Sequence, residues 1–352
     1  MKEVLVNHLA CPSCLSPLAL ADPRRQGGEI VEGRLCCRQC RGVEFPIRGG
    51  IPRVLKGADV EATKALTQAS FSEKWKRARH YRQIAGGFYT QWFLDRYGFA
   101  DRAALEVFLR GMSAILDAGT GTGRDTEMYA TASEAQVFGI DLSLGVEHAY
   151  ADLGRLGNAH FLQADLTWPP FRDGSFDLVS CDQVIHHTPD TRASLARLVR
   201  LVRPGGWIAF YVYRQKGPIR EFCDDFLRAQ TTRMSEEACL EFSRQITALG
   251  RSLAEMKVTV TIPEDIPLLG LTAGQVDLQR FFHWHAFKCF WNPAFDWDTN
   301  VMVNFDWYHP TDAHRHTPEE VRAWCRDLGI VIRHWSEVEA GISVLGQVGR
   351  SA

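Results

Sequence analysis

The 352-residue sequence predicts an α/β protein. Its core is a parallel sheet wrapped by helices, preceded by a small cysteine-bearing unit and interrupted by a helical, aromatic-rich insertion. Three observations predict this. Residues 60–211 alternate strand and helix signals, as a βαβ array does. Residues 115–123, Ile-Leu-Asp-Ala-Gly-Thr-Gly-Thr-Gly, run from a buried strand into a glycine-rich turn. Two C-x-x-C pairs, Cys11/Cys14 and Cys37/Cys40, stand near the N-terminus.

Composition narrows the class. The net charge of −2 gives no global sign of a nucleic-acid binder. No apolar run is long enough for a membrane span. The opening MKEVLVNHLACPSC lacks the basic-then-apolar layout of a secretory signal. With ten cysteines and no such signal, the expectation is a reducing compartment, the cytoplasm, with metal binding favoured over disulfides.

Residues 1–57 form the first expected unit. Twenty-two residues separate its two C-x-x-C pairs. Each short loop presents two thiolates, and two such loops suit one tetrahedral zinc. Four protein ligands close the coordination sphere, so Cys11, Cys14, Cys37 and Cys40 are expected to hold a structural zinc. Cys36 breaks the register and is read as a bystander. The other reading is a pair of ordinary reduced thiol clusters. The following EFPIRGGIPRVL, with the cysteine pairs, resembles the zinc-ribbon activator of tRNA and release-factor methyltransferases, over roughly residues 5–56. Similar ribbons also begin many bacterial methyltransferases.

Residues 58–211 form the first part of the expected core. Glycines at 119, 121 and 123 allow positive φ angles and close ligand approach. A dinucleotide fingerprint needs a third glycine at position 124, where this chain has Arg124. Asp117 would also repel a pyrophosphate. A ligand with a cationic end fits better, and S-adenosylmethionine carries a sulfonium and an ammonium. Strand 137–140 ends at Asp141, placed to accept ribose hydroxyls. Gln163-Ala164-Asp165-Leu166 follows a further strand, and Asp165 is placed to accept an adenine amino group. A buried strand, 176–180, leads to Cys181-Asp182-Gln183. RLVRPGGWIAFYVY reads as a helix end, a Pro-Gly-Gly turn and another strand.

This array resembles the small-molecule class I methyltransferases, over roughly residues 70–211 and 315–348. The resemblance implies a Rossmann-like seven-stranded sheet with S-adenosylmethionine as cofactor. It assigns Asp117, Gly119, Thr120, Gly121 and Gly123 to the methionine part and Asp141 and Leu142 to the ribose. Asp165 and Leu166 take the adenine, with Asp182 nearby. Upstream, Phe71, Trp75 and Tyr81 match a segment that folds over the cofactor as a lid in related enzymes. The other reading of these aromatics is plain core.

His186 and His187 follow the fourth strand, on the side of the sheet where ligands bind. Either can serve as base or substrate-orienting group near neutral pH, or can pack or cap the next helix. Trp168-Pro169-Pro170-Phe171 looks like the [DN]PP[YF] signature of nucleic-acid amino-methyltransferases but follows the wrong strand, so it is read as a turn.

Residues 212–310 are expected to be a substrate-side helical insertion. Ile246, Leu249, Leu253 and Met256 recur at helical spacing. Beyond them many aromatics stand beside polar residues, and His283, His285, Trp291, Trp307, Tyr308 and His309 are the candidate substrate contacts. A helical cap with aromatics in its own core is the alternative. Residues 311–352 return to the core: a helix over 317–328, started by Thr317-Pro318-Glu319-Glu320, then strands at 330–335 and 341–348.

The sequence therefore predicts a methyltransferase acting on a small-molecule acceptor in a biosynthetic pathway, by in-line displacement, with no membrane association. A second reading is an RNA or protein methyltransferase that docks its substrate through the basic ribbon. A third is a silent scaffold that keeps the fold without the reaction.

Overall fold

The computed structural model describes residues 1–55, 68–72 and 81–349, with backbone alone at 81–86. The N-terminal unit is a meander of β1 (Leu18–Gln26), β2 (Glu29–Cys37), β3 (Glu44–Arg48) and β4 (Ile51–Val54). The core follows with β5 (Ala114–Ala118), β6 (Gln136–Asp141), β7 (Ala159–Ala164), β8 (Phe176–Cys181) and β9 (Val202–Arg214). The insertion carries a small hairpin, β10 (Thr259–Ile262) and β11 (Gly274–Asp277). The two-residue β12 (Arg315–His316) and the antiparallel β13 (Ile330–Glu337) and β14 (Gly341–Val348) complete the set.

Among the described residues one sheet runs β1-β2-β3-β4-β7-β6-β5-β8-β9-β14-β13, with β12 beside β9. The five strands β7, β6, β5, β8 and β9 are mutually parallel, and β14 enters antiparallel between β9 and β13. Strands β5, β7 and β8 are buried along their whole length, which explains their near-continuous apolar sequences. The chain order reverses beside β5, and in open α/β sheets such a point leaves a crevice at the carboxyl ends of the strands.

The expected seven strands are all present, but the ribbon lengthens the sheet. Strand β4 pairs in parallel with β7, Arg53 opposite Gln163 and Val54 opposite Ala164. An edge that would otherwise expose unpaired backbone groups is thereby covered by the chain itself. Side chains seal the contact. Arg53 donates to Gln163 (2.9 Å) and to Glu147 (2.7 Å), and Lys2 Nζ donates to the carbonyls of Gly154 and Ala159. Leu5, Leu9, Ile30, Leu35 and Phe45 share one apolar core with Phe138, Leu162 and Phe171. The Trp168–Phe171 turn belongs to this contact. Ala10 N donates to Pro170 O at 2.9 Å, and Phe45 meets Trp168 edge-on at 6.1 Å.

Two local expectations are refined. Pro204-Gly205-Gly206 is carried inside β9, as an irregularity in its pairing with β8 rather than a turn before it, with Gly205 at φ 81°. In the Glu236–Glu255 helix, Leu253 is buried and Ile246 packs on the insertion's core, whereas Leu249 and Met256 face solvent. The inward face there is made instead by Cys239, Leu240, Ser243, Thr247 and Gly250. The final helix, Pro318–Asp327, starts with a full capping box: Thr317 Oγ1 accepts from Glu320 N while Glu320 accepts from Thr317 N. No helix among the described residues is long and apolar enough to cross a membrane.

Candidate active site

The glycine turn gains its shape from steric necessity. Gly119 has φ 95°, and a Cβ there would stand 2.3 Å from Val184 Cγ2. Gly119 N and Thr120 N both donate to Ile140 O, which folds the turn back over β6. Gly123, at φ 87°, opens the Arg124–Ala132 helix. Below the turn, Asp117 is buried and accepts from Thr126 Oγ1 at 2.7 Å. Burial and the neighbouring Asp125 push its carboxyl up to about 7.

Asp141, at the end of β6, is held from two sides. Gly121 N donates to its Oδ2 at 2.8 Å, while Ser143 N and Oγ donate to Oδ1. Asp165 is fixed in the same manner by Thr167 N and Oγ1, at 2.8 and 2.7 Å. Asp182, at the end of β8, receives Arg96 Nη2 at 2.7 Å, Tyr97 Oη at 2.9 Å and Arg124 Nη2 at 3.3 Å. Burial alone would raise its pKa, but Arg96 and Arg124 hold the carboxyl below its usual range.

These groups open onto one cavity of about 520 Å³. Gly119, Thr120, Asp141, Leu142, Asp165, Leu166 and Asp182 all line it. Asp117, Gly121 and Gly123 do not; they shape and support the turn. The segment over 68–72 packs on the loop after β6: Gln68 Nε2 donates to Leu142 O at 3.0 Å and Leu144 N to Ser72 Oγ at 3.1 Å. Phe71 lines the cavity and meets the His187 ring edge-on at 5.1 Å. Trp75 lies outside the described residues, and Tyr81 opens a helix whose first side chains are not described.

The two histidines after β8 part ways. His187 lines the cavity, with Nδ1 2.6 Å from the carbonyl oxygen of Asp312. His186 is fully buried with its ring 3.8 Å from that of Tyr213, and it does not reach the cavity. Burial and the His187 charge keep its imidazole well below the ordinary histidine range.

On the insertion side, His283 and Trp307 line the cavity, whereas His285, Trp291, Tyr308 and His309 do not. Tyr308 Oη donates to Lys288 O at 2.7 Å, Trp291 packs near Trp297, and His309 Nδ1 lies 2.6 Å from Ser70 Oγ. Sequence reasoning missed Lys216, Arg220, Arg280 and Lys288, which reach the cavity from three separate segments. It also missed Tyr89 and Trp92. Their spacing with Arg96, three and then four residues apart on one helix, was the available signal.

The four N-terminal thiols converge. Their Sγ atoms all lie within 4.8 Å of one another, and Cys40 N donates to Cys37 Sγ at 3.3 Å. Tetrahedral zinc with sulfur at ~2.3 Å needs sulfurs about 3.8 Å apart, so the donor set and its spacing fit a structural zinc. Cys36 precedes Cys37 on β2, where successive side chains point to opposite faces, and it is not one of the converging four. The glycine cradle, with anchored carboxylates at the ends of β6 and after β7, fits S-adenosylmethionine in kind: close backbone approach at one end, acceptors for hydroxyl and amino groups further along.

Two regions of the chain match known protein families. Residues 116–210 match the family described as methyltransferase domain, and residues 2–50 match the Trm112p-like proteins. An O-methyltransferase of Penicillium expansum, cnsE, is 40% identical over 113 residues, 30% of this chain and 41% of that protein. A ubiquinone biosynthesis O-methyltransferase of Aromatoleum aromaticum is 37% identical over 100 residues, 27% of this chain and 42% of that protein. The chain thus spans less than half the length of these curated relatives. Magnesium protoporphyrin IX methyltransferase from Synechocystis, solved with bound S-adenosylmethionine, is 14% identical, covering 84% of this chain and 100% of its own, with a TM-score of 0.43.

Proposed function

We propose that this chain, which unites a methyltransferase domain at 116–210 with a Trm112p-like domain at 2–50, methylates a small aromatic acceptor at the expense of S-adenosylmethionine. The observation that carries the reading is the single cavity that joins the glycine turn, Asp141 and Asp165 to the aromatic insertion, with His187 on its wall. When bound, S-adenosylmethionine supplies a methyl group already activated on sulfur. The protein's task is then mainly to position the acceptor, a contribution of up to about 7–11 kcal/mol.

Asp141 and Leu142 hold the ribose end and Asp165 and Leu166 the adenine end. Gly119 and Thr120 give the methionine end its close approach, with Asp182 beside them. Tyr89, Trp92, Phe290 and Phe295 add aromatic wall to the same cavity. Tyr89 and Phe295 stack with centroids 6.0 Å apart, a spacing suited to flat ligands beside them. Phe71, which lines the cavity beside His187, packs against the cofactor.

His187 serves as the base. A carbonyl oxygen only accepts, so the contact with Asp312 O places the proton on Nδ1. The neutral ring then carries its lone pair on Nε2, which takes the proton of an acceptor hydroxyl as the methyl group is transferred. A base so placed contributes about 10²–10⁴ in rate.

The RNA or protein reading draws on the ribbon's arginines, and four of these are paired. Arg24 pairs with Glu32, Arg25 with Glu3, Arg34 with Asp22 and Glu44, and Arg53 with Glu147. These four cations are offset within the fold, while Arg38, Arg41 and Arg48 are exposed outside those pairs. The test is methyl transfer from labelled S-adenosylmethionine into a cell extract separated by molecular size. Label in the small-molecule fraction is expected; label in RNA or protein overturns the proposal.

A further inference from the structure

The insertion end of the cavity carries a concentration of positive charge that methyl transfer does not require. Lys216 and Arg220 come from the junction between β9 and the Pro218–Thr231 helix, Arg280 and His283 from the Leu278–His285 helix, and Lys288 from the loop after it. All line the same cavity. Lys288 Nζ lies 5.0 Å from the centroid of the Trp307 ring, Arg220 Cζ 5.4 Å from that same ring, and Lys216 Nζ 5.9 Å from the Trp284 ring.

The cluster is rigidly built. Arg220 is bound to Asp224 and to the carbonyl of His283. Asp224 also accepts from Lys288 N, and Tyr308 Oη donates to Lys288 O, so the loop bearing Lys288 is pinned on both sides. Gln279 Nε2 donates to Cys289 O at 2.7 Å. Lys216 Nζ donates to the carbonyl of Arg214.

Acids stand beside these cations. Asp224 is committed to Arg220, and Glu221 to Arg315 and the backbone of Lys216. Among the described residues, Asp306 and Glu339 are further acids on the cavity wall at this end. Lys216, Arg220, Arg280 and Lys288 face them from the same wall. Burial, with the charges of Arg220 and Lys288, pushes the Lys216 ammonium well below its ordinary range. Burial and the same four cations do likewise to His283.

Two buried polar atoms at this end lack a hydrogen-bond partner among the described residues: Trp307 Nε1 and His283 Nδ1. Both side chains are 3% exposed and line the cavity. The indole N–H is a donor only, and a buried donor without an acceptor points to a ligand that brings one. The walls between this end and His187 are aromatic, with Tyr213 in ring contact with both His187 and Trp307.

We propose that the acceptor is a flat aromatic molecule bearing an oxyanion, a carboxylate or a phosphate ester, that binds between Lys216, Arg280 and Lys288 and accepts the Trp307 Nε1 hydrogen. The group to be methylated then lies at the opposite end of the acceptor, toward His187. This assignment rests on the methyltransferase reading above and specifies the acceptor class.

The test is calorimetric binding to the full-length protein saturated with S-adenosylhomocysteine, the stable product form of the cofactor. The probes are 3-hydroxy-2-naphthoate, the uncharged 3-hydroxy-2-naphthamide and 2-naphthyl phosphate. An anionic probe is expected to bind about 10- to 100-fold more tightly than the amide, the gain from charge-assisted hydrogen bonds. Lys288→Gln and Arg280→Gln are each expected to erase most of that preference while affinity for the amide stays within about twofold. A tighter naphthoate assigns the oxyanion as carboxylate, a tighter phosphate as phosphate ester. Equal affinity for anionic and neutral probes, no binding of any probe, or a preference that survives both substitutions overturns the oxyanion site and leaves the methyltransferase reading standing. Failure of wild-type protein to bind S-adenosylhomocysteine overturns the methyltransferase reading, and this inference with it.

Discussion

His187 Nδ1 lies 2.6 Å from the carbonyl oxygen of Asp312, a contact between the loop after β8 and the chain returning from the insertion. It fixes the ring's tautomer from outside the glycine-turn half of the site. The returning loop thereby holds one ring nitrogen of His187. His187→Gln is expected to lower kcat by about 10²–10⁴ while affinity for S-adenosylhomocysteine stays within about twofold. An unchanged kcat would remove His187 from the role of base.

Beneath the cavity, Arg96 and Asp182 form a buried ion pair, with side chains 2% and 0% exposed. The guanidinium also lies 3.7 Å from the centroid of the Trp92 ring. Removing one partner of such a pair strands the other charge, at a cost of roughly 3–5 kcal/mol. Arg96→Met should show that loss in urea denaturation, moderated by Arg124, which also reaches Asp182. It should also weaken cofactor binding, because the floor at the end of β8 shifts. A variant as stable as wild type would show that Arg124 alone compensates Asp182.

Asp117 gives the pH response a sign. Its folded pKa of about 7 lies above the ordinary carboxylate value of about 3.9. Between those values the folded state holds a proton that the unfolded state has lost. Stability from this group is thus fully present below about pH 4 and is lost as pH rises through 7. The cofactor-free protein should lose thermal stability from pH 5 to pH 8, and Asp117→Asn should flatten that decline. An identical slope in the variant would refute the assignment.

The zinc site and the sheet edge are coupled through the ribbon. Cys14→Ser is expected to abolish stoichiometric zinc, measured by elemental analysis. It should also cost at least about 4 kcal/mol, at the upper end for single substitutions. Because β4 pairs with β7, hydrogen exchange at Gln163 and Ala164 should accelerate in the same variant. Protection left intact there would mean that β4 stays paired without the metal.

The parts of the fold that were readable without coordinates rest on local chemistry. A positive-φ turn needs glycine, so 119–123 announced itself. A tetrahedral metal needs four donors on short loops, so the cysteine pairs did as well. Asp141 and Asp165 stood out because strand ends in a βαβ array come at regular intervals. The capped helix at 318–327 followed from four consecutive residues.

The insertion was legible only as a composition. That it is rich in aromatics and histidines is a property of the sequence by itself. Tertiary packing alone decided that His283 and Trp307 face the cavity while His285, Trp291, Tyr308 and His309 turn elsewhere. The physical reason is that a helix side chain's direction depends on how its helix is rolled against its neighbours. Residues one or two apart on a helix therefore face different surroundings. The convergence of Lys216, Arg280 and Lys288 was equally hidden, since 72 positions of chain separate the first from the last. The pairing of β4 with β7 belongs to the same class. The sequence by itself determined a metal-held ribbon and a cofactor-shaped α/β core, because both are written in local geometry. Only the tertiary structure decided that the two form one continuous sheet and that Lys216, Arg220, Arg280 and Lys288 line one cavity, because both depend on contacts between distant segments.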